Sequence, residues 1–225
     1  MKDILVFGIT VFSKKMFYHL LDSTDWRVAG FIVNKQYYDK SEFCGKKVFI
    51  LETIKDNFDM SCTAILPSLG YSKMNQNRKG LFDYCHSNGY EIASYIDETI
   101  VNHAVSIGEG NIIMDHVRLD HDCQIGSGNI IWPDAVISHD VKIGDFNCIA
   151  ERATFGGASV LGNYNFIGMA GIISNQIQIG DMNLIGAGAY VRQSLSKHMV
   201  VSPAEQRVVR ANEKTLSWML QSNNL

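Results

Sequence analysis

No excess of positive charge, no long apolar run and no closely paired cysteines occur in this 225-residue sequence. The net charge of −3 and isoelectric point near 6.1 give no electrostatic reason to expect a nucleic-acid partner. The longest apolar runs fall far short of the roughly 20 residues that a membrane helix needs. Met1-Lys-Asp opens directly into Ile4-Leu-Val-Phe7, so neither a signal peptide nor a membrane segment is expected, and the reading is a cytoplasmic chain. The five cysteines (Cys44, Cys62, Cys85, Cys123, Cys148) are odd in number and scattered. That is the usage of free thiols in a reducing compartment, with no metal expected. The three-glycine phosphate fingerprint is missing too: Gly8-Ile-Thr10-Val-Phe-Ser13 has one glycine.

What is present is a strict period of six. From Val101, every sixth residue through Ile107, Ile113, Leu119, Ile125 and onward to Phe155, Leu161 and Val191 is large and apolar. A helix would repeat apolar residues at steps of three and four, and a half-buried strand at two. A sustained period of six indicates a solenoid in which each hexad makes a short strand and a turn. Glycine follows many anchors (Gly108, Gly126, Gly144, Gly162, Gly180), where a tight bend is expected. Asn111, Asn129, Asn147, Asn165 and Asn183 recur four residues after anchors, as stacked corner residues would. Three hexads close one triangular turn, which makes about five coils.

The residues before the solenoid read differently. Lys2–Gly8 and Arg27–Val33 suggest buried parallel strands, with helical apolar spacing between them from Phe12 to Leu21. Further elements are expected at 63–66 (strand), 75–87 (helix) and 90–96 (strand), giving a small open parallel sheet with helices on both faces. Ligands of such sheets sit at the carboxyl ends of the strands. Candidates there are Gly8, Thr10, Asn34, Ser68 and Asn75, with Tyr71 and the rest of the Asn75–Arg78 stretch. Val33-Asn34 stands where a ribose-binding acid would end the second strand. The sequence divides into 1–97 as a nucleotide-sugar-binding-like domain, 98–203 as the solenoid and 204–225 as a helical tail. The six-residue register fails at Lys197.

His103, His121 and His139 are 18 residues apart, one above another on successive coils, and the next position is Gly157. A histidine with a neighbouring acid can act as a general base. A glycine one coil on can offer its N–H to a carbonyl oxygen on which charge develops. His139, Asp140 and Gly157 therefore suggest acyl transfer. For His103 and His121 the simpler account is solvated corner residues, with His121 a candidate sugar contact.

The period and the segment Ser138-His-Asp-Val-Lys-Ile-Gly-Asp-Phe146 resemble the hexapeptide-repeat sugar acyltransferases, which include sialic acid O-acetyltransferases and bacillosamine-pathway N-acetyltransferases. The resemblance implies a left-handed parallel β-helix after a βαβ domain. It also implies acetyl-CoA as donor, a nucleotide-activated amino sugar as acceptor, most often N-acetylated, and a homotrimer with acyl-CoA between two β-helices. Base, orienting acid and carbonyl support would fall on His139, Asp140 and Gly157. At the family's second active-site histidine this chain has Cys148, and its Gly-x-Pro-Ala is altered to Val201-Ser-Pro-Ala204. The donor groove would involve Cys148, Gly168, Ala170, Gly186 and Ala187, with Arg192, Lys197, Arg207 and Arg210 for its phosphates. Two other readings stay open. His116 and His121 have the five-residue spacing of a γ-carbonic-anhydrase-like zinc site, although Glu98 and Gly80 stand where its third ligand should be. A non-catalytic scaffold is the other.

Overall fold

The computed structural model describes residues 2–21 and 25–203; the tail expected to be helical, with Arg207 and Arg210, lies outside them. β1 (Lys2–Phe7), α1 (Val11–Leu21) and β2 (Trp26–Val33) form the expected βαβ unit. A hairpin of β3 (Glu42–Phe43) and β4 (Lys46–Ile50) follows, unread in the sequence. Next come β5 (Thr63–Leu66), α2 (Gln76–Asn88) and β6 (Glu91–Ile92). The sheet order is β3-β4-β2-β1-β5-β6, parallel except within the hairpin. Alternation in β1 builds both sides of the sheet. Ile4 and Val6 pack with Met16 and Leu20 of α1, while Leu5 and Phe7 pack with Leu81 and Phe82 of α2.

The strand expected over 90–96 is two strands. β6 closes the sheet, but Tyr95–Ile96 pairs with Ile112–Ile113 and is the first rung of the solenoid. The solenoid is a left-handed parallel β-helix of two-residue strands on three faces. Face one has seven strands, from Tyr95–Ile96 to Val200–Val201. Face two has six, from Val101–Asn102 to Tyr190–Val191, and face three five, from Ser106–Ile107 to Gln178–Ile179. The anchors from Ile113 to Val191 form one continuous core. Each buried side chain of this size contributes roughly 1.5–3 kcal/mol.

Three details of the hexads differ from expectation. The first coil is one residue short, so Asn102 pairs with Leu119 and Val101 is turned outward, 43% exposed. At the other end the coil continues past Lys197 after losing two residues: Leu195 bridges Ile179, and Val200–Val201 pairs with Leu184–Ile185. The left-handed bends are not at the glycines that follow anchors. They recur every six residues from Gly110 through His116, Asp140 and Ala158 to Gly188, with φ between 52° and 69°, and most of these residues are not glycine. A non-glycine residue in that region costs about 1–2 kcal/mol. Hydrogen bonds to the coil below, such as Asp140 N–H to the His121 carbonyl at 3.0 Å, hold it there. Glycine after an anchor serves close approach instead: a Cβ on Gly126 would stand 2.6 Å from the Gly144 carbonyl oxygen.

The expected asparagine stack is present. Asn111, Asn129, Asn147, Asn165 and Asn183 are fully buried, and each Oδ1 accepts the backbone N–H of the ladder residue above, or of Met199 at the top, at 2.7–2.8 Å. Asn129→Ala would orphan donors on Asn147 in a fully buried corner. The expected result is a loss of about 1–3 kcal/mol in urea unfolding; a change below about 0.5 kcal/mol, typical of a surface site, would show the ladder to be ornamental.

Candidate active site

After face two ends at Ile137, the chain turns through Ser138, His139 and Asp140 into face three at Lys142. The turn is fixed from both sides: Asp140 N–H bonds the coil below, and Ala158 N–H from the coil above donates to the His139 carbonyl at 2.9 Å. His139 Nδ1 lies 2.8 Å from Asp140 Oδ2. The carboxylate can only accept, so Nδ1 carries the hydrogen and the Nε2 lone pair is left free. This hydrogen bond, with the charges of Asp140 and Asp120 adding, raises the His139 pKa above its ordinary value. The imidazole remains 64% exposed.

The ring lies over Gly157. A Cβ there would come within 2.6 Å of His139 Cε1 and closer still to Nε2. The missing side chain is thus the space that the imidazole occupies. Among the described residues nothing accepts the Gly157 N–H, so the residue that the ring covers carries an unpaired backbone donor, buried beneath the imidazole.

One coil below, His121 is built differently. Its own N–H is taken by Asp120 Oδ1 at 2.9 Å, and its ring stacks on His103 with centroids 4.3 Å apart. His103 reaches that stack from a shifted backbone, because the one-residue shortfall puts its N–H on the Leu119 carbonyl. Among the described residues no three His, Cys, Asp or Glu side chains form a metal-ligand group, and no helix is long and apolar enough to cross a membrane.

A second feature lies in the amino-terminal domain, where a cavity of about 870 Å³ opens at the carboxyl ends of β1 and β2. Gly8, Thr10 and Asn34 line it. Gly8 has φ +99°, a conformation that favours glycine. Thr10 caps α1, its Oγ1 accepting the Ser13 N–H at 3.2 Å. Two other sequence candidates are not available. Ser68 is fully buried with its hydroxyl on the Phe7 carbonyl. Asn75 is fully buried and turned to the solenoid, donating to the Asn165 carbonyl at 3.3 Å.

Gln76 and Asn77 of the 75–78 stretch also line the cavity, and it has walls that the sequence did not single out: Tyr37, Asp39, Lys73 and Tyr84. They sit in irregular turns and on α2, and only their position after β2 and β5 could have marked them. Glu52, after the neighbouring strand β4, fixes the end of β2: it accepts the Lys35 N–H at 2.9 Å and the Asn34 amide at 3.4 Å, and it is not among the residues that line the cavity.

The expected donor residues are dispersed. Gly168, Ala170, Gly186 and Ala187 stack at the corner between faces one and two, where a Cβ on Gly168 would be 2.5 Å from the Ala187 nitrogen. Arg192 follows the last strand of face two, at the corner that carries His139. Between these corners face two exposes Ile172 and Tyr190. Lys197 stands at the third corner, beside Gly180. Cys148 is 1% exposed and faces the amino-terminal domain, so it presents no surface to a ligand. Burial pushes its thiol up to about 11.

That domain covers the lower coils of face one from one corner to the other, while Leu184 and Val200 of the last two strands stay exposed. Phe82 meets Phe146 at one corner, Ile112 and Ile130 join the core of the sheet, and Phe12 meets Trp132 at the other. His139 lies on the edge of the prism opposite that face, so cavity and histidine of one chain are on opposite sides of the solenoid.

Residues 104–139 and 122–157 match the repeat profile described as bacterial transferase hexapeptide (six repeats). No curated protein matches the chain by sequence. Several solved structures share its fold. The acetyltransferase domain of PglB from Neisseria gonorrhoeae is 18% identical, with a TM-score of 0.75 over 89% of this chain and 96% of that one. A histidine-to-asparagine variant of perosamine N-acetyltransferase from Caulobacter crescentus, in complex with CoA and GDP-perosamine, is 19% identical, with a TM-score of 0.76 over 89% and 93%. WeeI from Acinetobacter baumannii is 16% identical, with a TM-score of 0.60 over 90% and 97%.

The His139–Asp140 pair can be checked without an assay. A carboxylate favours imidazolium, so Asp140→Asn is expected to lower the His139 pKa towards that of a free imidazole in an NMR titration. An unchanged midpoint would mean that the pair does not form in solution.

Proposed function

We propose that the chain is an acyl-CoA-dependent acyltransferase, with acetyl-CoA as donor, that N-acylates a nucleotide-linked amino sugar. The observation that carries this reading is His139, oriented by Asp140, with its free Nε2 against Gly157, whose N–H is unpaired among the described residues. The solved complex of a similar fold with CoA and GDP-perosamine supports the substrate classes.

In the proposed reaction the sugar amine attacks the thioester carbonyl carbon while His139 Nε2 takes a proton from the nitrogen. Negative charge develops on the carbonyl oxygen, and the Gly157 N–H donates to it. The C–S bond then breaks, the proton passes from the imidazolium to the departing sulfur, and amide and free CoA thiol leave. Asp140 holds the tautomer and stabilises the imidazolium. Face two, between the Gly168–Ala187 corner and the His139 corner, offers an apolar strip for the acyl carrier. The cavity walled by Gly8, Thr10 and Asn34 suits the nucleotide.

Because cavity and His139 lie on opposite sides of one prism, the acceptor held by one copy is proposed to meet His139 of another, in a homotrimer. The site is incomplete in a single chain.

His139→Ala is expected to lower kcat by about 10²–10⁴-fold, the range of a positioned general base, with little change in either KM. His121→Ala, with no free glycine N–H beside it, should retain most activity; equal losses at both positions would count against a single base. The assembly has its own test. Gly80 lines the cavity with open space around its α-carbon, so Gly80→Phe should block the acceptor. Co-refolded Gly80→Phe and His139→Ala chains are expected to turn over substrate that neither alone does. Failure to complement would place the whole site in one chain.

A further inference from the structure

Arg78 is fully buried, at 0% exposure, at the junction of the two domains. Its guanidinium meets only backbone carbonyls: Nε donates to Gly128 at 2.6 Å, Nη2 to Asn147 at 3.2 Å, and Nη1 to Leu69 at 2.8 Å and Gly70 at 3.4 Å. The nearby Cys148 thiol is neutral near pH 7, because burial raises its pKa to about 11. A buried cation without a counter-charge is costly, and burial lowers the Arg78 pKa to about 10, which leaves it charged at neutral pH.

The four acceptors are not scattered. Gly128 and Asn147 are the corners that open and close the single coil on which His139 lies. Leu69 and Gly70 begin the loop that walls the cavity and leads to Lys73, the one lysine or arginine among its described lining residues. That loop then passes through three consecutive left-handed residues, Lys73, Met74 and Asn75, with φ between 49° and 64°. Such backbone costs about 1–3 kcal/mol per residue and persists only where its surroundings hold it. Besides Arg78, the anchors are Asn75 on the Asn165 carbonyl and Tyr71 against Phe166, with centroids 4.9 Å apart.

Resting on the proposed activity, we propose that Arg78 is a positioning residue for acceptor binding: it holds the Leu69–Asn75 loop, and with it Lys73, in register with the His139 coil. It touches neither substrate. It acts by fixing where the cavity's cation stands, and a nucleoside diphosphate is the chemistry that such a cation would grip.

The full-length chain tests this with Arg78→Met and with Arg78→Lys, which keeps the charge and part of the carbonyl set. In Arg78→Met, the acceptor KM is expected to rise at least about tenfold, the size of one lost charge-assisted hydrogen bond. The acyl-CoA KM should stay within about twofold, and Arg78→Lys should fall between. Hydrogen exchange of amides 69–77 is expected to quicken at least about tenfold in Arg78→Met, with the 130–146 coil unchanged. If Arg78→Met does not fold, Arg78→Lys carries both measurements. Acceptor and donor KM rising together, or unchanged exchange at 69–77, would overturn the proposal. If the wild-type chain turns over no nucleotide sugar, the functional reading fails by itself and the exchange measurement decides the role of Arg78.

Discussion

The constraint on which the rest of the molecule depends is the stacking of coils at strand spacing, about 4.8 Å. At that separation whatever one coil puts at a corner must fit directly on the next. An inward anchor has to be apolar on every layer, because the core is one unbroken column from Ile113 to Val191. Where a corner residue faces its copy on the next coil, the side chain is absent, as at Gly126 and Gly144, or bonds that copy, as in the asparagine ladder; elsewhere on the corners side chains point outward. Among the described residues length changes occur at the two ends, where the first coil drops one residue and the last drops two.

The same constraint decides where chemistry can sit. The interior is filled, and the strands use their N–H and C=O groups on neighbouring coils. At the corners, side chains project and some amides have no partner in the coil above or below. His139 and Gly157 use both properties at once. The imidazole occupies the space that a Cβ on Gly157 would fill, which brings its free nitrogen against a residue whose N–H is unpaired. His121 has the same flanking acid one layer down, yet it stacks on another ring and has no such space. Residue type alone does not distinguish the two; the layer above does.

The amino-terminal sheet and the solenoid share their cores. Ile112 and Ile130 complete one side of the sheet, and Phe146 packs with Phe82 on the other. Arg78 crosses this junction bonded only to carbonyls. The solenoid thereby serves as a floor for the cavity loop.

Much of this was legible in the sequence. The six-residue period, the βαβ start, the asparagine stack and the alignment of His139 with Gly157 all follow from spacing along the chain, because a solenoid converts a fixed step in sequence into a fixed position in space. Other properties belonged to the tertiary structure. Cys148 has the spacing of an active-site position but lies on the one face that the amino-terminal domain covers. Asn75 and Ser68 follow a strand end correctly and are nonetheless turned away from the cavity. Glu52, after β4, holds the turn that follows β2. No local pattern encodes which face is covered or which turn lies next to which strand. Those contacts join residues tens of positions apart, and they exist only once the sheet has packed against the coils.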